Sequence, residues 1–233
     1  MNIFQTVLVF FFAVVFLNAF AFGQTRRLGA KTRPAVTSQN INHTPQEIAQ
    51  SGSFDGRVYA NKLLGFSVSL PNSWSFASED ANKTTLALGR EKIKEAGESA
   101  ELKQEMDKSI SNTRVLFQAS PLPLGQPGNS AVLACGFEKL QVPQTQQAYS
   151  EFNKNLAIKS SKGQLKRDLY SKTIGGKTFT AFEVESVQNG LSVKQTYLVA
   201  NHKNLMFFLI LTMLDDGHKT TMDDALQTLR FSK

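Results

Sequence analysis

With 233 residues, 41% of them hydrophobic and 19% charged, the chain suits one ordinary globular domain plus a tail or two. Its single cysteine excludes an intramolecular disulfide, so the core alone must hold the fold. The formal net charge is +7, and no charged residue lies in 1–23.

Val7 to Leu17 form an unbroken apolar run, followed by the small residues Ala19, Ala21 and Gly23. Eleven residues match a signal-peptide core and fall short of the ~20 that cross a bilayer. The expectation is a signal peptide over 1–23, cut after Ala21 or Gly23, and a secreted or periplasmic domain with no stable membrane anchor. Met1 to Thr6 lack the usual basic residue, which keeps an uncleaved anchor as the alternative. No cysteine lies near the cut, which excludes a bacterial lipoprotein anchor. Residues 24–55 mix Arg, Thr, Ser, Gln, Asn and Pro and read as a disordered linker, with a short helical turn after Thr44-Pro45. Asn42-His43-Thr44 and Asn82-Lys83-Thr84 match the glycosylation sequon, which matters only in a eukaryotic secretory pathway.

The folded domain is expected over 56–233. Arg57 to Leu64 and Phe66 to Leu70 read as strands meeting at Gly65, and Trp74 as a core anchor after Pro71-Asn72-Ser73. Thr84 to Leu88 is a further candidate strand, and Glu91 to Ser111 has the composition of an acidic helix with a thin apolar stripe. Thr113 to Ala119 reads as a strand with Val115, Phe117 and Ala119 on one face. Ser120 to Asn129 is a Pro- and Gly-rich loop, and Ala131 to Phe137 a buried strand carrying Cys135. A helix begins at Pro143 with Ala148, Tyr149, Phe152 and Leu156 at its spacing, and Gly163 ends it.

Asp168 to Ile174 is a strand closed by Gly175-Gly176, and a meander over Lys177–Leu214 follows. Asn189-Gly190 is the dipeptide best suited to a two-residue hairpin turn, because both central positions need positive φ. It sets Gln188 opposite Leu191, Val184 opposite Gln195, Phe182 opposite Tyr197 and Glu185 opposite Lys194. Leu205 to Leu214 is apolar except for Thr212, so it must be covered on both faces. A short last helix places Met222, Ala225, Leu226 and Leu229 on one face. The predicted class is α+β: a central antiparallel β-sheet with helices on both faces, an α-β-α sandwich.

Tyr59-Ala-Asn-Lys-Leu-Leu-Gly-Phe-Ser-Val-Ser-Leu-Pro-Asn-Ser-Trp74 resembles the opening of PsbP-like domains. Gly175-Gly176-Lys177-Thr-Phe179, the long hairpin, the apolar strand and a closing helix ending Leu229-Arg-Phe231 resemble that family's second half. The likeness spans roughly 57–233 and is poorer across 90–130. It implies the same α-β-α sandwich. The family includes an extrinsic photosystem II subunit, a nuclear factor that binds a small GTPase, and exported bacterial proteins. The resemblance implies docking onto other macromolecules and no shared reaction.

No nucleophile elbow, zinc-protease helix, Cys-x-x-Cys, P-loop or dinucleotide fingerprint is present, and no cofactor is expected. Asp215, Asp216 and His218, with Asp223 and Asp224 nearby, are the nearest approach to a cation site. They also fit turn and helix-cap roles, Asp223 and Asp224 at the positive end of the last helix. From Lys154 to Lys177, seven basic residues face the single Asp168. Of these, Lys154, Lys159, Lys162, Lys166, Arg167 and Lys172 are the candidate contact for an anionic partner, set against a solvated face with Lys159 and Lys162 at a helix end. The reading is an exported, non-enzymatic domain that binds a protein or cell-envelope component and no nucleic acid. The alternative is an exported hydrolase or metal-dependent enzyme.

Overall fold

The computed structural model describes residues 42–77, 82, 112–124, 126 and 128–232. The apolar N-terminal run, the strand expected at Thr84–Leu88 and the helix expected at Glu91–Ser111 lie outside the described residues.

Order begins before the expected Gly56. α1 (Pro45–Gln50) opens with a capping box: the Glu47 amide donates to Thr44 Oγ1 at 3.2 Å, and the Glu47 carboxylate accepts from the Thr44 amide at 2.7 Å. Ile48 is fully buried. Asn61, 1% exposed, ties α1 down by donating to the Ile48 carbonyl at 2.7 Å and accepting from Ser51 and from the Leu64 amide. Residues 45–55 are therefore folded, which corrects the linker boundary. Composition hid this because one buried isoleucine does the anchoring.

β1 (Gly52–Asp55), β2 (Val58–Asn61) and β3 (Phe66–Ser69) form a small antiparallel sheet completed by β11 (Arg230–Phe231), in the order β1-β2-β3-β11. Gly65, with positive φ, makes the predicted bend between β2 and β3. The larger antiparallel sheet contains β4 (Ser75–Phe76), β5 (Thr113–Ser120), β6 (Ala131–Glu138), β7 (Gln164–Ile174), β8 (Lys177–Gln188), β9 (Leu191–His202) and β10 (Leu205–Met213), ordered β4-β5-β6-β10-β9-β8-β7.

β10 is the middle strand and is buried along its whole length. The hairpin register agrees pair by pair with the expectation, from Gln188 opposite Leu191 to Phe182 opposite Tyr197. Asn189 and Gly190 both have positive φ, and the Phe182 and Tyr197 rings stack 4.5 Å apart. Leu191, beside the turn, is 40% exposed at the hairpin tip.

The alternation along β10 supplies two cores. Met206, Phe208 and Ile210 meet Tyr149 and Ala157 of α2 (Gln146–Ser161). Leu205, Phe207, Leu209, Leu211 and Met213 share the other cluster with Tyr59, Phe66, Val68 and Trp74. Met222, Ala225 and Leu226 of α3 (Lys219–Gln227) join that second cluster. Among the described residues, the cover on this side is therefore the small sheet together with α3, with Tyr59 of β2 and Phe66 and Val68 of β3 turned inward.

Two local expectations fail for physical reasons. A bulge between Val115 and Phe117 turns Val115 to the α2 side, whereas Phe117 and Ala119 stay on the other. The helix expected from Pro143 starts at Gln146, capped by Thr145, and ends on Lys162 at φ 50° before Gly163. Its buried row is Tyr149, Asn153, Ala157 and Ser161, while Ala148, Phe152 and Leu156 are half-buried. Polar side chains can face inward because they are satisfied there: Asn153 donates to the Tyr149 carbonyl at 2.8 Å and Ser161 to the Ala157 carbonyl at 2.6 Å.

The β7–β8 turn yields a paired prediction. Gly175 and Gly176 both have positive φ, but a methyl on Gly175 would run into the Leu229 carbonyl, whereas Gly176 faces open space. Gly175→Ala is expected to cost more than about 1 kcal/mol in chemical denaturation, and Gly176→Asn much less. Equal losses would show that the contact with Leu229 does not matter.

Candidate functional site

Among the described residues, the core cluster on the small-sheet side of the β8–β9 hairpin includes Phe179, Ala181, Leu198 and Ala200 and none of the residues nearer its tip. Further toward the tip the same face carries Glu183 and Glu185 on β8 and Lys194 and Thr196 on β9. Leu211 and Met213 of β10 continue the floor, Lys166, Tyr170 and Lys172 of β7 form one side, and Asp216, Lys219 and Asp223 close the other. The result is a cleft of about 230 Å³.

Its charges are paired. Lys166 meets Glu185 at 2.5 Å, and Ser192 donates to the same carboxylate at 2.5 Å. Those two hydrogen bonds, Lys166 first, hold the Glu185 pKa below its ordinary value. Lys194 meets both oxygens of Asp216 at 2.9 Å, and this contact raises the lysine pKa. Asp223 sits between Lys172 at 3.3 Å and Lys219 at 3.1 Å. Partial burial pushes the Asp223 pKa up, but the two ammonium groups together bring it below the usual value.

Tyr170 is fixed from two directions. Its hydroxyl donates to Glu183 at 2.8 Å, and the Arg167 guanidinium lies 3.6 Å from its ring centre. Burial first, and then the Glu183 carboxylate, raise the tyrosine pKa, so the phenol stays protonated at neutral pH.

The six basic candidates do not share one surface. Lys154, Lys159 and Lys162 belong to the α2 side of the sheet, and Lys166 and Lys172 line the cleft on the opposite face. Lys154 is 7% exposed and clamped between Glu151 at 2.7 Å and Asp168 at 2.6 Å. Burial opposes its charge, but those two hydrogen bonds prevail and raise its pKa. Arg167 divides itself between Tyr170 and Glu183, the latter at 4.0 Å. A window of seven basic residues in sequence conceals this partition, because β7 alternates faces and its acidic partners, Glu183, Glu185 and Asp223, come from other elements.

The aspartates after β10 take local roles. Asp215 accepts from the Gly217 amide at 2.8 Å, and Asp216 and Asp223 hold lysines. Asp223 and Asp224 lie in the second turn of α3, past the positive helix end expected for them. His218 precedes the helix without a side-chain cap bond, its ring edge-on to Trp74 at 6.0 Å. Among the described residues, no group of three or more His, Cys, Asp or Glu side chains is placed to hold a metal ion. The part of the site that sequence reading missed is the β8–β9 face. The Glu185–Lys194 pair in the predicted register was the available signal.

No family model matches the chain, and no curated protein matches its sequence. Solved structures do match. LpqN of Mycobacterium tuberculosis, a protein involved in cell envelope biogenesis, is similar at 17% identity and a TM-score of 0.42, over 72% of this chain and 83% of that one. Cyanobacterial PsbP from Synechocystis is similar at 10% identity and a TM-score of 0.46, over 77% and 95%. The family resembled in sequence is met again among these structures. A Bacteroides thetaiotaomicron protein matches at 11% identity and a TM-score of 0.44, over 77% of this chain and 50% of its own.

Proposed function

We propose that the chain is an exported, non-enzymatic domain that docks onto a protein or cell-envelope component through the cleft between the β8–β9 hairpin and α3. The observation that carries this reading is the preformed, charge-paired cleft that the described residues of β7, β8, β9, β10 and the α3 region line. Its side chains are held by one another, an arrangement suited to recognition without reorganisation. The three histidines belong to other places: His43 precedes α1, His202 ends β9 and His218 packs on Trp74. The apolar Val7–Leu17 run supports export. The PsbP-like pattern of the sequence supports docking as the role.

The test is capture of a component from the native envelope fraction by wild-type protein, by Thr196→Arg, which fills the cleft floor, and by the Lys159→Glu/Lys162→Glu double variant on the other face. Capture is expected to fall at least about tenfold with Thr196→Arg, a loss of ~1.4 kcal/mol or more, at unchanged melting temperature. The double variant is expected to match wild type. Loss confined to the double variant would move the contact to the α2 side, and full capture by Thr196→Arg would end the cleft reading.

A further inference from the structure

We propose that the cleft receives a neutral saccharide unit. This rests on the docking role above and narrows it to a class of ligand. Four lysines, Lys166, Lys172, Lys194 and Lys219, line the cleft with four carboxylates, Glu183, Glu185, Asp216 and Asp223. The formal charges cancel, so neither a polyanion nor a polycation is steered in, and each meets as many repulsive groups as attractive ones.

The pairing still leaves hydrogen-bonding capacity. An ammonium group has three N–H donors, and a carboxylate has about four acceptor positions. Lys166 forms one ion pair, and Lys172 and Lys219 share a single aspartate. A hydroxyl both donates and accepts, so it adds a bond to either kind of group without breaking the salt bridge beside it. A charged ligand group would instead meet, beside each group that attracts it, a paired partner of its own sign that repels it.

The remaining surface suits a ring with apolar C–H faces. Leu211 and Met213, only 4% and 6% exposed, show apolar edges at the floor, and Thr196 and Tyr170 line the cleft beside them. Tyr170 does not have to be ordered on binding, because Glu183 and Arg167 already hold it. A volume of about 230 Å³ is below the ~300–1,000 Å³ of drug-sized pockets, which restricts the occupant to a single ring or the end of a chain.

The experiment is an NMR titration of the whole domain with maltose and with N,N′-diacetylchitobiose as neutral probes, and with a heparin oligosaccharide as the anionic one. At least one neutral probe is expected to shift the amide signals of Thr196, Leu211 and Met213, saturating in the millimolar range. The response should be unchanged between about 50 and about 500 mM salt and absent in Thr196→Arg. If neither neutral probe moves those signals, or if only the heparin fragment does and salt abolishes its effect, the saccharide assignment is overturned. The docking role is judged separately: loss of envelope capture in Thr196→Arg alongside a failed titration leaves docking in place with another ligand class.

Discussion

Phe207→Ala is expected to cost about 3–5 kcal/mol. Phe207 is fully buried on the central strand. Its ring meets Phe66 of the small sheet at 4.9 Å, Phe231 of the closing strand at 5.6 Å and Phe179 of β8 at 6.2 Å, each edge-on. It therefore joins the two sheets, and a cavity there has rigid walls on both sides that cannot collapse to fill it. Chemical denaturation of Phe207→Ala beside Phe207→Leu measures this. A loss below about 1.5 kcal/mol for the alanine variant would show that the sheets repack freely across the gap.

The second large effect is acid sensitivity at His202. This side chain is 6% exposed at the end of β9, with its Nε2 2.6 Å from the Leu64 carbonyl and Phe231 packed against the ring. Burial lowers its pKa from 6.5 to about 4; the hydrogen bond to Leu64 opposes that shift, and the Lys177 and Lys203 ammonium groups assist it. The unfolded histidine binds a proton near pH 6.5 and the folded one does not until about pH 4. Stability is therefore complete above about pH 6.5 and declines as pH falls toward 4, by about 3 kcal/mol in all. Asp168 and Glu185, whose pKa values are lowered by their lysine hydrogen bonds first of all, add their own losses at lower pH, where unfolded carboxylates begin to protonate. Denaturation midpoints measured from about pH 7 to about pH 4 should fall steeply for wild type and much less for His202→Gln, whose amide can still donate to Leu64. Parallel slopes for the two proteins would rule the histidine out as the cause.

The meander was legible because two independent constraints agreed: Asn189-Gly190 sets the turn, and shifting the strands by one residue would bury Glu183, Glu185 and Lys194. The oily β10 was legible for a similar reason, since nine consecutive buried positions have to lie mid-sheet. What the pattern could not carry was pairing between elements. Polar groups buried along α2 depend on partners from two strands: Lys154 on Asp168 of β7, and Tyr149 on Glu138 of β6, which accepts from its hydroxyl at 2.8 Å. The Val115 bulge leaves no mark in an alternating strand. The cleft escaped sequence reading because its side chains come from β7, β8, β9, β10 and the α3 region, and only the assembled sheet makes them neighbours.

The antiparallel pairing of Phe66 with Phe231 and Ser67 with Arg230 has a consequence for the order of assembly. A strand near the front of the domain is completed by a segment made long after it, and the Ser232 amide seals the join on the Gly65 carbonyl at 2.7 Å. Synthesis alone cannot lock the early strands, because the chain must close a very long loop before they gain their final neighbour. Until then Phe66 lacks its pairing with Phe231, whose ring lies 6.0 Å from its own in the folded domain.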